Sequence, residues 1–180
     1  MARTTTKKDI DIVTEITEDV EKPKTAPKRK KAEITADTII EVMSNFAGTL
    51  VYVSKKTADE YTWQLGEVNY IKYSELEIMR NNRRKFFTNN WVILLGDEGL
   101  EAMKKLGVDK YYTNLIDVSD TDALLSMSDS ELTAKIKSAS NEIKETLGYC
   151  LSTLIDDGKL SDLNRIRLFE KLLNVDLIQR

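Results

Sequence analysis

TLVYVSKKTADEYTWQLGEVNYIKY, residues 49–73, decides the fold. TLVYVS, TWQL and EVNYIKY are short runs rich in β-branched and aromatic residues, the composition of strands. The polar stretch KKTADEY separates the first two, and Gly66 separates the second from the third. Three such runs within 25 residues leave no room for crossovers, so they predict a small antiparallel sheet. Upstream, AEITADTIIEVMSNFAG has an ambiguous period. Ile39, Ile40, Met43 and Phe46 fit a helical stripe that Ala47-Gly48 would end.

Downstream, the third run leads into a helix. Ser74 and Glu77 have the spacing of a capping box, Leu76 and Met79 face inward, and Asn81-Asn82 ends the segment. A basic loop, RRKFF, precedes TNNWVILLGD, in which Trp91 to Leu95 reads as a buried strand. Asp97 then caps a short helix through Leu100, Met103 and Leu106, stopped by Gly107. The last third is helical. Caps are expected at Ser119–Asp122, before Leu124 and Leu125, and at Ser128–Glu131, before Leu132 and Ile136. Ile143, Leu147, Leu151, Leu154 and Ile155 make one amphipathic face between Ser140 and Asp157. Asp157-Gly158 turns the chain into a helix from Ser161 to Asn174, with Leu163, Ile166, Phe169, Leu172 and Leu173 inward. These last two helices form an αα-hairpin. The expected fold is α+β: a small antiparallel sheet, a helical C-terminal half closing in that hairpin, and an extended N-terminal arm.

Charge separates the arm from the rest. Residues 1–31 hold nine basic and six acidic residues, net +3, whereas residues 32–180 are net −6. Both prolines, Pro23 and Pro27, fall in KPKTAPKRKK, ten residues with six positive charges and no large apolar side chain. Such a segment buries too little to offset its ordering entropy and reads as a linker extended by self-repulsion. Before it lies IDIVTEI, an isolated apolar patch in which Ile10 and Ile12 alternate with acids, as in a half-exposed strand. The expected organisation is an arm over 1–31 and one compact domain over 32–180, β-rich over 32–96 and helical over 97–180.

Composition excludes much chemistry. Without histidine there is no Ser-His-Asp triad, no Cys-His dyad and no imidazole metal ligand. A single cysteine makes neither an internal disulfide nor a multi-cysteine zinc site. Apolar runs such as Trp91 to Leu95 fall far short of the roughly 20 residues that span a membrane, and MARTTTKKDIDIV lacks the apolar stretch of a signal peptide. The glycines form neither GxGxxG nor the Walker spacing. The acid pairs Asp9/Asp11, Asp120/Asp122 and Asp156/Asp157 lack calcium-loop spacing. Cys150, among Leu147, Leu151 and Leu154, reads as a small buried apolar residue. No catalytic, cofactor-binding or metal-binding residue is therefore expected, and no enzyme.

Two features suggest contacts. In RNNRRKFF, Arg83, Arg84 and Lys85 could meet phosphates while an aromatic stacks on a base, or could pair with a neighbouring subunit. Against this stands a solvated loop after a helix C-terminus, with Phe86 and Phe87 returning the chain to the core. In the arm, Ile10, Ile12, Val13 and Ile16 are expected docking residues, and Lys28, Arg29, Lys30 and Lys31 an electrostatic attachment.

The segment LVYVSKKTADEYTWQLGEVNYIKYSELEIMRNNRRKFFTNNWVILL, residues 50–95, resembles small accessory proteins of tailed-bacteriophage virions. The strand, the polar connector, Trp63 before Gly66-Glu67-Val68, and YIKYSELEIMRN carry the likeness. Tyr111-Tyr112, acidic-capped helices and a closing hairpin ending NVDLI extend it downstream. The resemblance implies a non-enzymatic structural role in the head, neck or tail of a particle. The expected partners are other virion proteins and copies of this chain, with no membrane involved. The expected location is the virion, and the host cytoplasm during assembly. The alternative is a nucleic-acid-associated or regulatory module using the basic arm and Arg83 to Lys85.

Overall fold

A computed structural model describes residues 33–178. The central strand, β1 (Ile39–Ser44), falls where the helical stripe was expected. The stripe counted Ile39, which is half exposed, whereas Ile40, Val42 and Ser44 are fully buried on one face. Period two therefore prevails over period 3.6, helped by the β-branched run Thr38-Ile39-Ile40 and by two flanking partners. β4 (Val68–Lys72) and β5 (Val92–Leu94) pair antiparallel with β1 on either side, with Ile40 opposite Ile71 and Met43 opposite Ile93. β2 (Leu50–Val53) and β3 (Glu60–Trp63) form a separate antiparallel ribbon. The buried Trp63 pins this ribbon to the sheet by donating its indole N–H to Val42 O at 3.0 Å.

β4 runs directly into α1 (Tyr73–Asn82), capped at Lys72 and not by a Ser74–Glu77 box. The first free N–H groups are already taken: Tyr73 donates to Thr38 O and Ser74 to Ala36 O. Two of the N–H groups that a side-chain cap would compete for are thus held by backbone from before β1. RRKFF is only partly a loop, because Lys85–Thr88 makes one turn of helix, α2, returning Phe86 and Phe87 to the core. β5 leads into α3 (Gly96–Leu106), capped by the Leu95 backbone and not by Asp97, which lies in the first turn with Glu98. The inward face of α3 is Gly99, Ala102, Met103 and Leu106, so Leu100 points outward. Gly107, in the left-handed region, ends it.

A short 3-10 helix at Asp109–Tyr112 leads to the second core. The packing divides into two clusters, one running from Ile34 to Val108 and one from Ile116 to Leu177. α4 (Thr121–Ser126) is capped by Asp120, one residue after the expected Ser119. Ser128 caps α5 (Asp129–Ser138) and Ser140 caps α6 (Asn141–Asp156), each hydroxyl accepting the N–H three residues on. α7 (Leu163–Leu173) begins after Asp162, and Asn174 ends it in the left-handed conformation. Ile166 and Phe169 are buried, while Leu163 is exposed against expectation because it lies in the first turn, away from the core stripe. α6 and α7 make the closing hairpin, and α7 also packs on α5 through Arg165. That guanidinium pairs with Asp129, donates to Met127 O and lies over the Phe169 ring. Asn45 ties the two clusters together: its fully buried side chain donates to Ile116 O and accepts from Val118 N–H, both at 2.8 Å.

Candidate docking site

β2, like β3, β4 and β5, pairs on one side only among the described residues. Its register places Ser54 opposite Asp59, and the Ser54 N–H donates to Asp59 O at 2.8 Å. In an antiparallel ladder bonded pairs alternate with non-bonded ones. Tyr52 and Leu50 therefore bond to β3, and the N–H and C=O groups of Val51 and Val53 point away from it. β3 has the complementary arrangement, with Thr62 O outward, but the Asn69 side-chain amide covers that oxygen at 2.8 Å. No second strand pairs with β2 among the described residues. The Val51 and Val53 side chains are also about half exposed.

A groove of 540 Å³ runs beside this edge. Leu50–Val53 form one wall and Asn82–Phe86 the other, with Trp91 adjoining. Phe86 stacks edge-on against both Tyr52 and Trp91, with centroids 5.8 and 5.5 Å apart, which makes the floor rigid and apolar. The Trp91 indole N–H is buried without an acceptor among the described residues. Beneath the ribbon, Tyr52 donates its hydroxyl to Glu75 Oε1 at 2.5 Å. Burial first, then this bond to the carboxylate, pushes the Tyr52 phenol well above its ordinary value.

Arg83, Arg84 and Lys85 are all exposed and form the basic wall. Arg84 donates to the Tyr111 hydroxyl at 2.6 Å, which lowers that phenol's pKa, and its guanidinium lies 5.8 Å from the ring centroid. No carboxylate pairs with any of the three among the described residues. Phe86 and Phe87 are buried, so neither ring is free to stack on a base. The sequence marked this basic cluster but not its apolar counterpart. Val51, Val53 and Trp91 read as ordinary strand residues, and only the pairing of strands reveals which edge stays open.

The expected docking residues of the arm, Ile10, Ile12, Val13, Ile16, Lys28, Arg29, Lys30 and Lys31, lie outside the described residues. Cys150 is half buried, and burial raises its thiol pKa, so it is poorly suited to act as a thiolate. Among the described residues no cluster of three or more Cys, Asp or Glu is placed to hold a metal ion, and no helix is long and apolar enough to cross a membrane. Comparisons with protein-family models, curated proteins and solved structures find no match.

Proposed function

We propose that this protein is a non-enzymatic structural component of a tailed-phage virion, assembling with head, neck or tail proteins through its N-terminal arm and its domain surface. The observation that carries the assembly reading is the open β2 edge with its apolar floor and basic wall. An edge of this kind offers main-chain hydrogen bonds to an extended segment and side-chain pockets to select it. The virion setting rests on the resemblance of residues 50–95 to accessory phage proteins. Tyr112 donates to Val92 O at 2.8 Å and Tyr52 to Glu75, so both hydroxyls serve the fold.

The test is incorporation into particles. A chain lacking residues 1–31 is expected to keep its circular dichroism spectrum and to be missing from purified particles by mass spectrometry. Normal incorporation of that truncated chain would overturn the reading. The nucleic-acid alternative draws on Arg83, Arg84 and Lys85 and predicts DNA or RNA binding that weakens steeply with salt. Absence of binding at low salt would end it.

A further inference from the structure

The β2 groove and the arm complement each other in pattern and in charge. Between Asp9 and Glu21 the chain has six acids and no basic residue, and the groove wall has three basic residues and no acid. Within Asp9–Ile16, Ile10, Ile12 and Ile16 share one face of an extended strand, while Asp9, Asp11 and Glu15 share the other with Val13. β2 offers the matching features: main-chain groups at Val51 and Val53 that are unpaired among the described residues, a floor of Tyr52, Phe86 and Trp91, and the basic wall.

We infer that the β2 edge receives the segment Asp9–Ile16 of a second copy of this chain, which adds as a third strand to the β2–β3 ribbon. This rests on the assembly reading above and names its partner. Ile10, Ile12 and Ile16 meet the apolar floor. Val13 lies beside the exposed Val51 and Val53 side chains. Asp9, Asp11 and Glu15 come within reach of Arg83, Arg84 and Lys85. The linker KPKTAPKRKK, with two prolines and six like charges, has the composition of an extended chain, which suits reaching a neighbouring copy. Each copy both gives and receives a strand, so the exchange either closes as a reciprocal two-fold dimer or continues from copy to copy.

Disulfide trapping in the full-length protein tests this. Cys150→Ser removes the native thiol, and Val13→Cys and Val53→Cys, which the proposed strand places on one face, are then put in separate chains. When the two variants are mixed and oxidised, a covalent heterodimer is expected in excess over either homodimer. Reversing the wall with Arg83→Glu, Arg84→Glu and Lys85→Glu should lower its yield roughly tenfold. Adding Asp9→Lys, Asp11→Lys and Glu15→Lys on the donor should restore it, a rescue that misfolding of either variant would not produce. Two results overturn the inference: no heterodimer excess from the mixture, or a double variant, Val13→Cys with Val53→Cys, that closes only on itself at every concentration. The assembly reading is judged separately. If the chain is incorporated into particles without forming the crosslink, the arm binds a different protein and only this inference fails. If the crosslink forms but the chain is absent from particles, the virion reading fails and the strand exchange stands.

Discussion

Tyr52 and Glu75 form a buried pair, the phenol donating to the carboxylate at 2.5 Å with both side chains less than a tenth exposed. The ribbon thus sits on α1 through a charge-assisted hydrogen bond, which holds the groove floor at a fixed height. Tyr52→Phe leaves the Glu75 carboxylate buried without this donor. It is expected to cost about 2–3 kcal/mol in urea unfolding. Replacing both partners, with Tyr52→Phe and Glu75→Leu, should recover most of that loss. A single variant as stable as the parent would show that the pair contributes nothing.

The phenols also set an alkaline limit. Burial raises Tyr52, Tyr61, Tyr73 and Tyr112, with Glu75 adding to Tyr52 and Tyr61 and Glu77 to Tyr73. In the unfolded chain these groups ionise near pH 10. Above that value the unfolded state holds fewer protons than the folded one, so stability falls as pH rises. The unfolding free energy should be insensitive to these groups up to about pH 9 and decline above pH 10. Tyr111 moves the other way, because the Arg84 hydrogen bond favours its phenolate. In an ultraviolet titration one tyrosine should ionise before the rest, and Tyr111→Phe should remove that first step.

Asn45 links the two hydrophobic clusters. Its amide also donates to Asn90 O at 3.2 Å, so one side chain satisfies three backbone groups in two separate stretches. Asn45→Ala would leave Ile116 O and Val118 N–H without their partner in the interior. The expected loss is roughly 2–4 kcal/mol in urea unfolding. Asn45→Asp should be at least as damaging, since a carboxylate oxygen would then face the Ile116 carbonyl. An unchanged midpoint for Asn45→Ala would show that the link is dispensable.

Two helical glycines make a paired test. A Cβ on Gly99 would meet the Leu94 carbonyl carbon at 2.7 Å, and the backbone of β5, held by its pairing with β1, cannot move aside cheaply. Gly99→Ala is expected to cost about 2 kcal/mol despite alanine's better helix propensity. A Cβ on Gly148, in the middle of α6, would meet nothing within 4 Å. Gly148→Ala should raise stability by about 0.5–1 kcal/mol. Thermal melts of the two variants should move in opposite directions.

The helical third was legible because its signals are local. Ser128, Ser140, Gly107 and Asn174 mark element ends through their own side chains or backbone freedom. The centre of the sheet was not legible in the same way. Ile39–Ser44 became β1 because β4 and β5 flank it, and no window confined to residues 32–48 contains those partners. Ser74 illustrates the same point at a helix start, where backbone from before β1 takes the first N–H groups of α1. At the candidate site, charge was visible at Arg83–Lys85, but the open edge at Val51 and Val53 depends on pairing register, a property of two strands together. Trp91 was read only as part of a buried run, and it borders the groove because α2 turns the chain back beside β2.

The basic wall has a consequence for chains that have not yet found a mate. Bare sheet margins tend to zip onto one another and precipitate. Two such margins approaching here would also bring Arg83, Arg84 and Lys85 of each molecule face to face, and Coulomb repulsion would hold them apart. That safeguard fades as counterions accumulate, so the solitary chain should be more soluble in dilute buffer than in concentrated salt.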